Sequence, residues 1–202
     1  MSTNDLTGEL GRALAGDPDH LRRLHDQLAA AAQADGILDV AYRTLDSPVG
    51  PLLLAATDVG LVRVAYASED HDKVLQALAD RVSPRILRAS ARLDSTAREL
   101  EEYFAGRRRS FDVPLDWRLA AGFRSTVLRH LPEISYGHTA TYAAVARMVG
   151  NPKAVRAVGT ACAVNPLPVV VPCHRVVRSD GGMGGYLGGV DAKRTLLTLE
   201  AA

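Results

Sequence analysis

Along the 202-residue chain, the spacing of hydrophobic positions switches between helical and extended patterns. Leu21, Leu24 and Leu28 stand at i, i+3 and i+7 between a GDPDH start and a QADG stop, which predicts a helix within a preamble of residues 1–36. ILDVAYRTL and GPLLLAATDVGLVRVAYA read as strands, with SPVG and DVG as turns, so a small antiparallel sheet is expected. DHDKVLQALADRV and STARELEEYFAG return to helical spacing. RRRSFDVPLDW joins a basic cluster, a proline and the single Trp117, and is the best candidate for a linker. From about Ala120 the chain becomes helical and then glycine-rich. The expected organisation is a helical extension (1–36), a sheet-containing domain (37–112), a linker (113–119) and a mainly helical domain (120–202). The fold class is α/β in content and α+β in arrangement.

Two short helical patterns flank GNP in HTATYAAVARMVGNPKAVRAVGTACAVNP. In the first, Tyr142, Val145, Ala146 and Val149 share a face, Thr139 or Thr141 can cap it, and Gly150 ends it. Pro152 can open the second, where Val155, Val158 and Cys162 share a face and Lys153, Arg156, Gly159 and Thr160 look elsewhere. A tight glycine-containing turn between short helices fits a helix-turn-helix; a generic helix hairpin fits as well. Small Ala157 and Gly159 beside Arg156 would let the second helix approach another surface closely.

Composition is that of an ordinary globular protein: 47% hydrophobic, 23% charged, net charge +1. No apolar run reaches the length of a membrane span, and the polar start is no secretory signal. Cys162 and Cys173 are too few for a disulfide framework or a cysteine-rich zinc site, so a reducing, intracellular setting is expected. The charge is uneven, however. Between Arg124 and Arg178 lie seven Lys and Arg against the one carboxylate of Glu133. Such a basic half suits a polyanion, or is a solvated surface balanced by acids folded in from elsewhere.

VVVPCHRVV carries the candidate chemistry. Its valine run suits a buried strand that Pro172 stops, leaving Cys173 and His174 at the edge of a core. A thiol reacts as its thiolate, and a nearby histidine can take the proton directly or through water. Adjacent strand residues point opposite ways, so His174 can serve Cys173 only if the backbone turns there. The plainer alternative is a buried, inert cysteine. Glu200 falls on the apolar side of DAKRTLLTLE, four after Leu196 and three after Leu197, where a carboxylate needs a partner unless the chain end frays into solvent. A carboxylate orienting a histidine that faces a cysteine is the logic of an activated nucleophile. The loop SDGGMGGYLGG lets backbone groups line a tight pocket with Tyr186 as its one ring, and lacks the spacing of a phosphate cradle.

NPLPVVVPCHRVV, followed by GGYLGG and LLTLE, closely resembles the O6-alkylguanine-DNA alkyltransferases, and TYAAVARMVGNPKAVRAVG is similar to their DNA-binding helix-turn-helix. The resemblance is strong from about Phe123 to Glu200, architectural over 37–112 and absent over 1–36. It implies direct reversal of DNA damage. An alkylated guanine is flipped from the duplex, with O4-alkylthymine a second candidate lesion, and its alkyl group passes irreversibly to Cys173. It further implies that His174 is the base, acting through a bridging water, that Glu200 holds His174, and that Asn165 braces the turn ahead of the active-site segment. Arg156 would fill the place of the flipped base and Tyr142 would press the adjoining phosphate. Arg124, Asn151, Ala157 and Ser179 would meet the DNA, entered through the minor groove. Tyr186, the backbone of Val176, the amide of Leu187 and Gly159 would form the guanine pocket. No cofactor and no metal is implied. The partner would be double-stranded DNA containing O6-alkylguanine, met by a cytoplasmic monomer that joins the nucleoid on binding, without a membrane.

Two departures stand out. Leu187 replaces a hydroxyl found in some members, leaving only its amide for O6, and Cys162 reads as packing or as a second oxidisable thiol. The two cysteines exclude the metal-binding sensor domain of some relatives, and the sequence ends two residues after Glu200 with no tail expected. Rival readings are a non-catalytic sensor of alkylated bases, which Cys173 opposes, a helix-turn-helix regulator with a structural cysteine, and a Cys-His-Glu hydrolase, which the basic helix pair opposes.

Overall fold

The computed structural model describes residues 18–201; the start of the preamble, residues 1–17, lies outside the described residues. Helix α1 (Pro18–Ala34) leads into strands β1 (Val40–Leu45), β2 (Leu52–Ala56) and β3 (Leu61–Tyr66), then α2 (His71–Arg81), β4 (Ile86–Arg88) and α3 (Asp94–Phe104). The second half contains α4 (Gly122–His130), β5 (Ala140–Thr141), α5 (Tyr142–Met148), α6 (Val155–Ala163), β6 (Val176–Val177) and α7 (Gly189–Glu200). The first sheet has the order β3-β2-β1-β4. β1, β2 and β3 pair antiparallel as expected, but β4 joins β1 in parallel, which makes the sheet mixed. Three residues of β4 are too few to carry a period in the sequence.

β2 reads LLLAA without alternation because both of its faces are covered: Leu52, Leu53 and Leu54 are each at most 1% exposed. On one face, Leu53, Val62 and Ala65 pack with Val74 and Leu78 of α2. On the other, Leu52, Leu54 and Val64 join α3 and the C-terminal helices in one continuous core that includes Val127, Val145, Val158 and Cys173. Each buried leucine contributes about 1.5–3 kcal/mol, so the sheet and the helical half are held as one body by their shared core.

Three local expectations need correction. The α1 helix forms, but Leu21, Leu24 and Leu28 are about half exposed, at 53%, 47% and 56%. The small residues Ala29 and Ala32 face inward instead, and Ala32 meets Leu38 and Ala41, because only small side chains fit that close approach to the sheet. The stretch 113–119 is not a loose tether: Leu61 N–H donates to the Pro114 carbonyl and Asp116 N–H to the Leu61 carbonyl, both at 2.8 Å, which lays the segment along β3. The valine run is buried but is no strand. Pro166, Pro168 and Pro172 lack the N–H a ladder needs, and Val171 N–H instead closes a turn onto the Leu167 carbonyl at 2.8 Å. Val169 sits at φ 71°, a left-handed conformation costly for a β-branched residue.

Candidate active site

Because the run ends in turns, the backbone does reverse where Cys173 and His174 require it. Cys173 N–H donates to Val171 O at 2.8 Å, and Cys173–Arg175 forms a single tight helical turn that leads into β6. β6 pairs with β5 in parallel, Val176 opposite Ala140 and Val177 opposite Thr141, which ties the thiol's segment to the first helix of the helix-turn-helix. The thiol is 2% exposed.

Asn165 is completely buried and uses both ends of its amide. Its Nδ2 donates to Val171 O at 2.9 Å and to Cys173 Sγ at 3.1 Å, while its Oδ1 accepts from Leu167 N–H at 3.0 Å. The side chain thus fastens the turn after α6 to the thiol itself. Burial pushes the Cys173 thiol up to about 11, against the opposing pull of the Asn165 hydrogen bond and the nearby Lys193 charge. At neutral pH the resting sulfur keeps its proton, so reaction requires a base.

The adjacent His174 has the chemistry of one. Its Nε2 lies 2.8 Å from Glu200 Oε1, and both side chains are almost completely buried. An ionised carboxylate only accepts, so Nε2 carries the ring proton and the lone pair stays on Nδ1. Nδ1 is buried and has no hydrogen-bond partner among the described residues. Burial lowers the imidazole's affinity for a proton more than Glu200 raises it, which keeps the ring neutral and basic.

Glu200 does not fray. It accepts from Tyr103 Oη at 2.7 Å, Arg175 Nε and Nη2 at 2.9 Å each, His174 Nε2, and Gly137 N–H at 3.3 Å. Burial alone would raise its carboxyl, but the hydrogen bonds from His174, Arg175 and Tyr103 outweigh it and bring the group down to about 2. Arg175 also donates from Nη1 to Ile134 O at 2.7 Å.

The charge reading changes accordingly. Arg175 is a buried counter-ion, Arg178 is paired with Asp180 at 2.6 Å, and the Arg129 guanidinium stacks 4.6 Å from the Trp117 ring centre. Arg124, Arg147, Lys153 and Arg156 are exposed and carry the basic face.

The helix-turn-helix forms as α5 and α6. Thr141 caps α5 by accepting from Ala144 N–H at 3.1 Å, and Gly150 at φ 74° ends it. Pro152 does not open α6, which begins three residues later at Val155, and Val155 is exposed while Val158 and Cys162 are buried. The Asn151 N–H returns to Ala146 O at 2.9 Å, so the polar turn spends its residues on closing α5. Asn151, Arg156 and Ser179 are exposed, and Ala157 is half-buried. Tyr142 sits between α6 and the glycine-rich loop: a Cβ at Gly159 would lie 4.0 Å from its ring, and one at Gly184 would lie 2.9 Å from its hydroxyl. Gly184 is at φ 69°, so glycine is needed there for conformation and for space.

Tyr186 is half-buried, its ring edge-on to His174 with centroids 6.4 Å apart. Leu187 lines a cleft of about 470 Å³ shared with Asn165, Arg63 and Arg124. Val176 is buried and its carbonyl accepts from Lys193 Nζ at 2.6 Å; Lys193 also donates to Met183 O. Sequence reasoning missed this fully buried lysine, and it missed Arg175 as a partner of Glu200. A signal existed: Lys193, Leu196 and Glu200 stand at i, i+3 and i+7, the same face that singled out Glu200.

The chain matches the 6-O-methylguanine DNA methyltransferase DNA binding domain over residues 122–202, and the ribonuclease-like domain of the same name over residues 40–117. It is 40% identical over 159 residues to the methylated-DNA–protein-cysteine methyltransferase of Methanosarcina barkeri, covering 79% of this chain and 96% of the relative. The protein of the same name from Mycolicibacterium paratuberculosis is 39% identical over 161 residues, covering 80% and 92%. A crystal structure of Mycobacterium tuberculosis OGT in complex with DNA superposes with a TM-score of 0.70 at 37% identity, covering 80% of this chain and 92% of that one.

Proposed function

The chain belongs to the 6-O-methylguanine DNA methyltransferase family, whose members transfer an alkyl group from DNA to a cysteine, and we propose that Cys173 is the acceptor thiol here. The carrying observation is the buried line Asn165–Cys173–His174–Glu200, with a neutral imidazole whose basic nitrogen is left for the reaction.

In this reading the duplex binds through the exposed cations of α4, α5 and α6 and the residues Asn151 and Ser179. The alkylated guanine leaves the stack at a cost of roughly a few kcal/mol. Arg156 enters the gap, Tyr142 turns the adjoining phosphate, and small Ala157 and Gly159 allow the close approach. Tyr186, the Val176 backbone, Gly159 and the Leu187 amide receive the purine. The Nδ1 atom of His174, through a water, takes the thiol proton, and ionised Glu200 offsets the imidazolium that forms. The sulfur lone pair then makes an S–C bond to the alkyl carbon as the C–O6 bond breaks in line. That electron pair stays on guanine, which recovers a proton. A thioether does not revert, so each molecule acts once. Orientation in a rigid, buried site supplies most of the acceleration. Among the described residues no helix is long and apolar enough to cross a membrane, and we place the protein in the cytoplasm as a monomer.

Intact mass after incubation with a duplex containing O6-methylguanine tests this directly. One added methylene per molecule is expected, with no second addition under excess DNA. Unchanged mass with tight binding to the damaged duplex would instead mark a damage sensor.

Arg156→Ala separates flipping from chemistry. It is expected to slow repair of the duplex by tenfold or more, about 1.4 kcal/mol or greater, while largely sparing reaction with free O6-benzylguanine. Equal loss on both substrates, in parallel single-turnover assays, removes the gap-filling role.

A further inference from the structure

The residue that orients the pocket ring comes from the sheet, far from the reactive segment in sequence. We propose that Tyr66, at the end of β3, is a positioning residue for alkyl transfer, holding Tyr186 in place beside His174; this rests on Tyr186 being part of the guanine pocket.

Tyr66 is 2% exposed, and its hydroxyl lies 2.8 Å from that of Tyr186, with the rings edge-on and centroids 5.8 Å apart. The contact extends to the loop backbone. A Cβ at Gly188 would come within 2.6–2.7 Å of three Tyr66 ring atoms, so only glycine lets the loop close over this ring. The Tyr66 backbone is itself held, because its N–H donates to Glu69 Oε1 at 2.9 Å and Glu69 pairs with Arg63. Arg63 Nη1 then reaches the Pro166 carbonyl at 3.2 Å, which Val64 N–H also meets at 2.9 Å. Pro166 follows Asn165, the residue bonded to the thiol. One strand therefore grips the site on both sides: the pocket ring through Tyr66, and the thiol's support through Val64 and Arg63.

Tyr186 needs such an anchor. It stands in a segment that continues Leu187-Gly188-Gly189, where backbone freedom works against a fixed ring. The same ring packs edge-on with His174, so a ring that swings loses the wall against which a flipped purine would align. Burial keeps both phenols protonated: it pushes Tyr66 above its ordinary range against the opposing pull of the hydrogen bond, and pushes Tyr186 up with the bond acting in the same direction. The pair is therefore a neutral clamp, unaffected by pH across the physiological range.

The test is a double-mutant cycle on the whole protein: Tyr66→Phe, Tyr186→Phe and the pair. The single-turnover rate constant is read at saturating O6-methylguanine duplex, alongside affinity for undamaged duplex and the melting temperature. Tyr66→Phe keeps the ring against Gly188 and removes only the shared hydrogen bond. It is expected to slow transfer about fivefold, the worth of a typical hydrogen bond, with undamaged-duplex affinity unchanged. The double variant should be no slower than Tyr186→Phe alone, because both changes delete one bond. Tyr66→Phe at the wild-type rate beside a slow Tyr186→Phe overturns the proposal, as do effects that multiply, or a loss of duplex affinity and melting temperature that parallels the rate. Tyr186→Phe at the wild-type rate overturns it too, since the shared bond is gone with the ring kept, whereas Tyr186→Ala at the wild-type rate would instead overturn the pocket role of Tyr186 itself.

Discussion

Glu200→Ala is expected to lose both stability and alkyl transfer, the largest combined effect of any single change outside the thiol. The carboxylate accepts from His174, Arg175, Tyr103 and Gly137, and removing it leaves the Arg175 guanidinium buried without a counter-ion. Breaking a buried pair from one side costs about 3–5 kcal/mol, a fall in melting temperature on the order of 10 °C for a chain of this size. Glu200→Gln keeps the volume and an acceptor for His174 but not the charge, so it should fall between the two. The wild type's advantage over that variant has a defined pH window. Glu200 is held at about 2 against an ordinary 4.5, so its stabilisation is fully present above pH 4.5 and is lost as pH falls toward 2. Thermal melts of both proteins from pH 7 to pH 3, beside single-turnover rates at neutral pH, check this. Equal melting temperatures at pH 7 would show that the carboxylate is not the buried partner described here.

How much of this site could be read from the chain depends on how local its signals are. The helix-turn-helix was legible because Val145, Ala146, Val158 and Cys162 keep helical spacing around a glycine turn, and all four are buried. Glu200 was legible because a carboxylate on an apolar face needs a reason. Lys193 lies on that same face and was overlooked, since lysine is read by habit as solvated. Arg175 was counted with the DNA-facing cations because a charge tally along the sequence carries no burial. The valine run misled for a different reason: apolar content measures burial, whereas three prolines decide backbone shape, and here the prolines won. The α1 stripe failed likewise, because leucine spacing says which face is apolar and not which face the sheet can approach closely. Tyr66 had no signal at all. Its role arises from a contact with Tyr186 across 120 residues, and nothing in the β3 pattern distinguishes a pocket anchor from an ordinary core aromatic.

Cys173→Ala should abolish transfer while leaving the protein folded and bound to damaged DNA. The lost sulfur is small, and Asn165 Nδ2 keeps its bond to Val171 O, so the stability cost stays at about 1 kcal/mol, comparable to the mildest core truncations. The fold therefore survives the loss of the chemistry, and binding to an O6-methylguanine duplex should stay within about threefold of wild type, under 1 kcal/mol. Cys162 provides the internal control. It is 5% exposed on α6, and burial holds its thiol proton more tightly than that of Cys173. Its carbonyl accepts from Asn165 N–H at 3.4 Å, but among the described residues its thiol has no hydrogen bond to Asn165, His174 or Glu200. Cys162→Ala should accordingly take up one methylene at close to the wild-type rate, and Cys173→Ala none after prolonged incubation. Peptide mapping of the wild-type adduct must place the group on Cys173. A methylene found on Cys162 in the Cys173→Ala variant would mean that the pocket delivers the lesion to either thiol, and that proton removal by His174 is not what selects the acceptor.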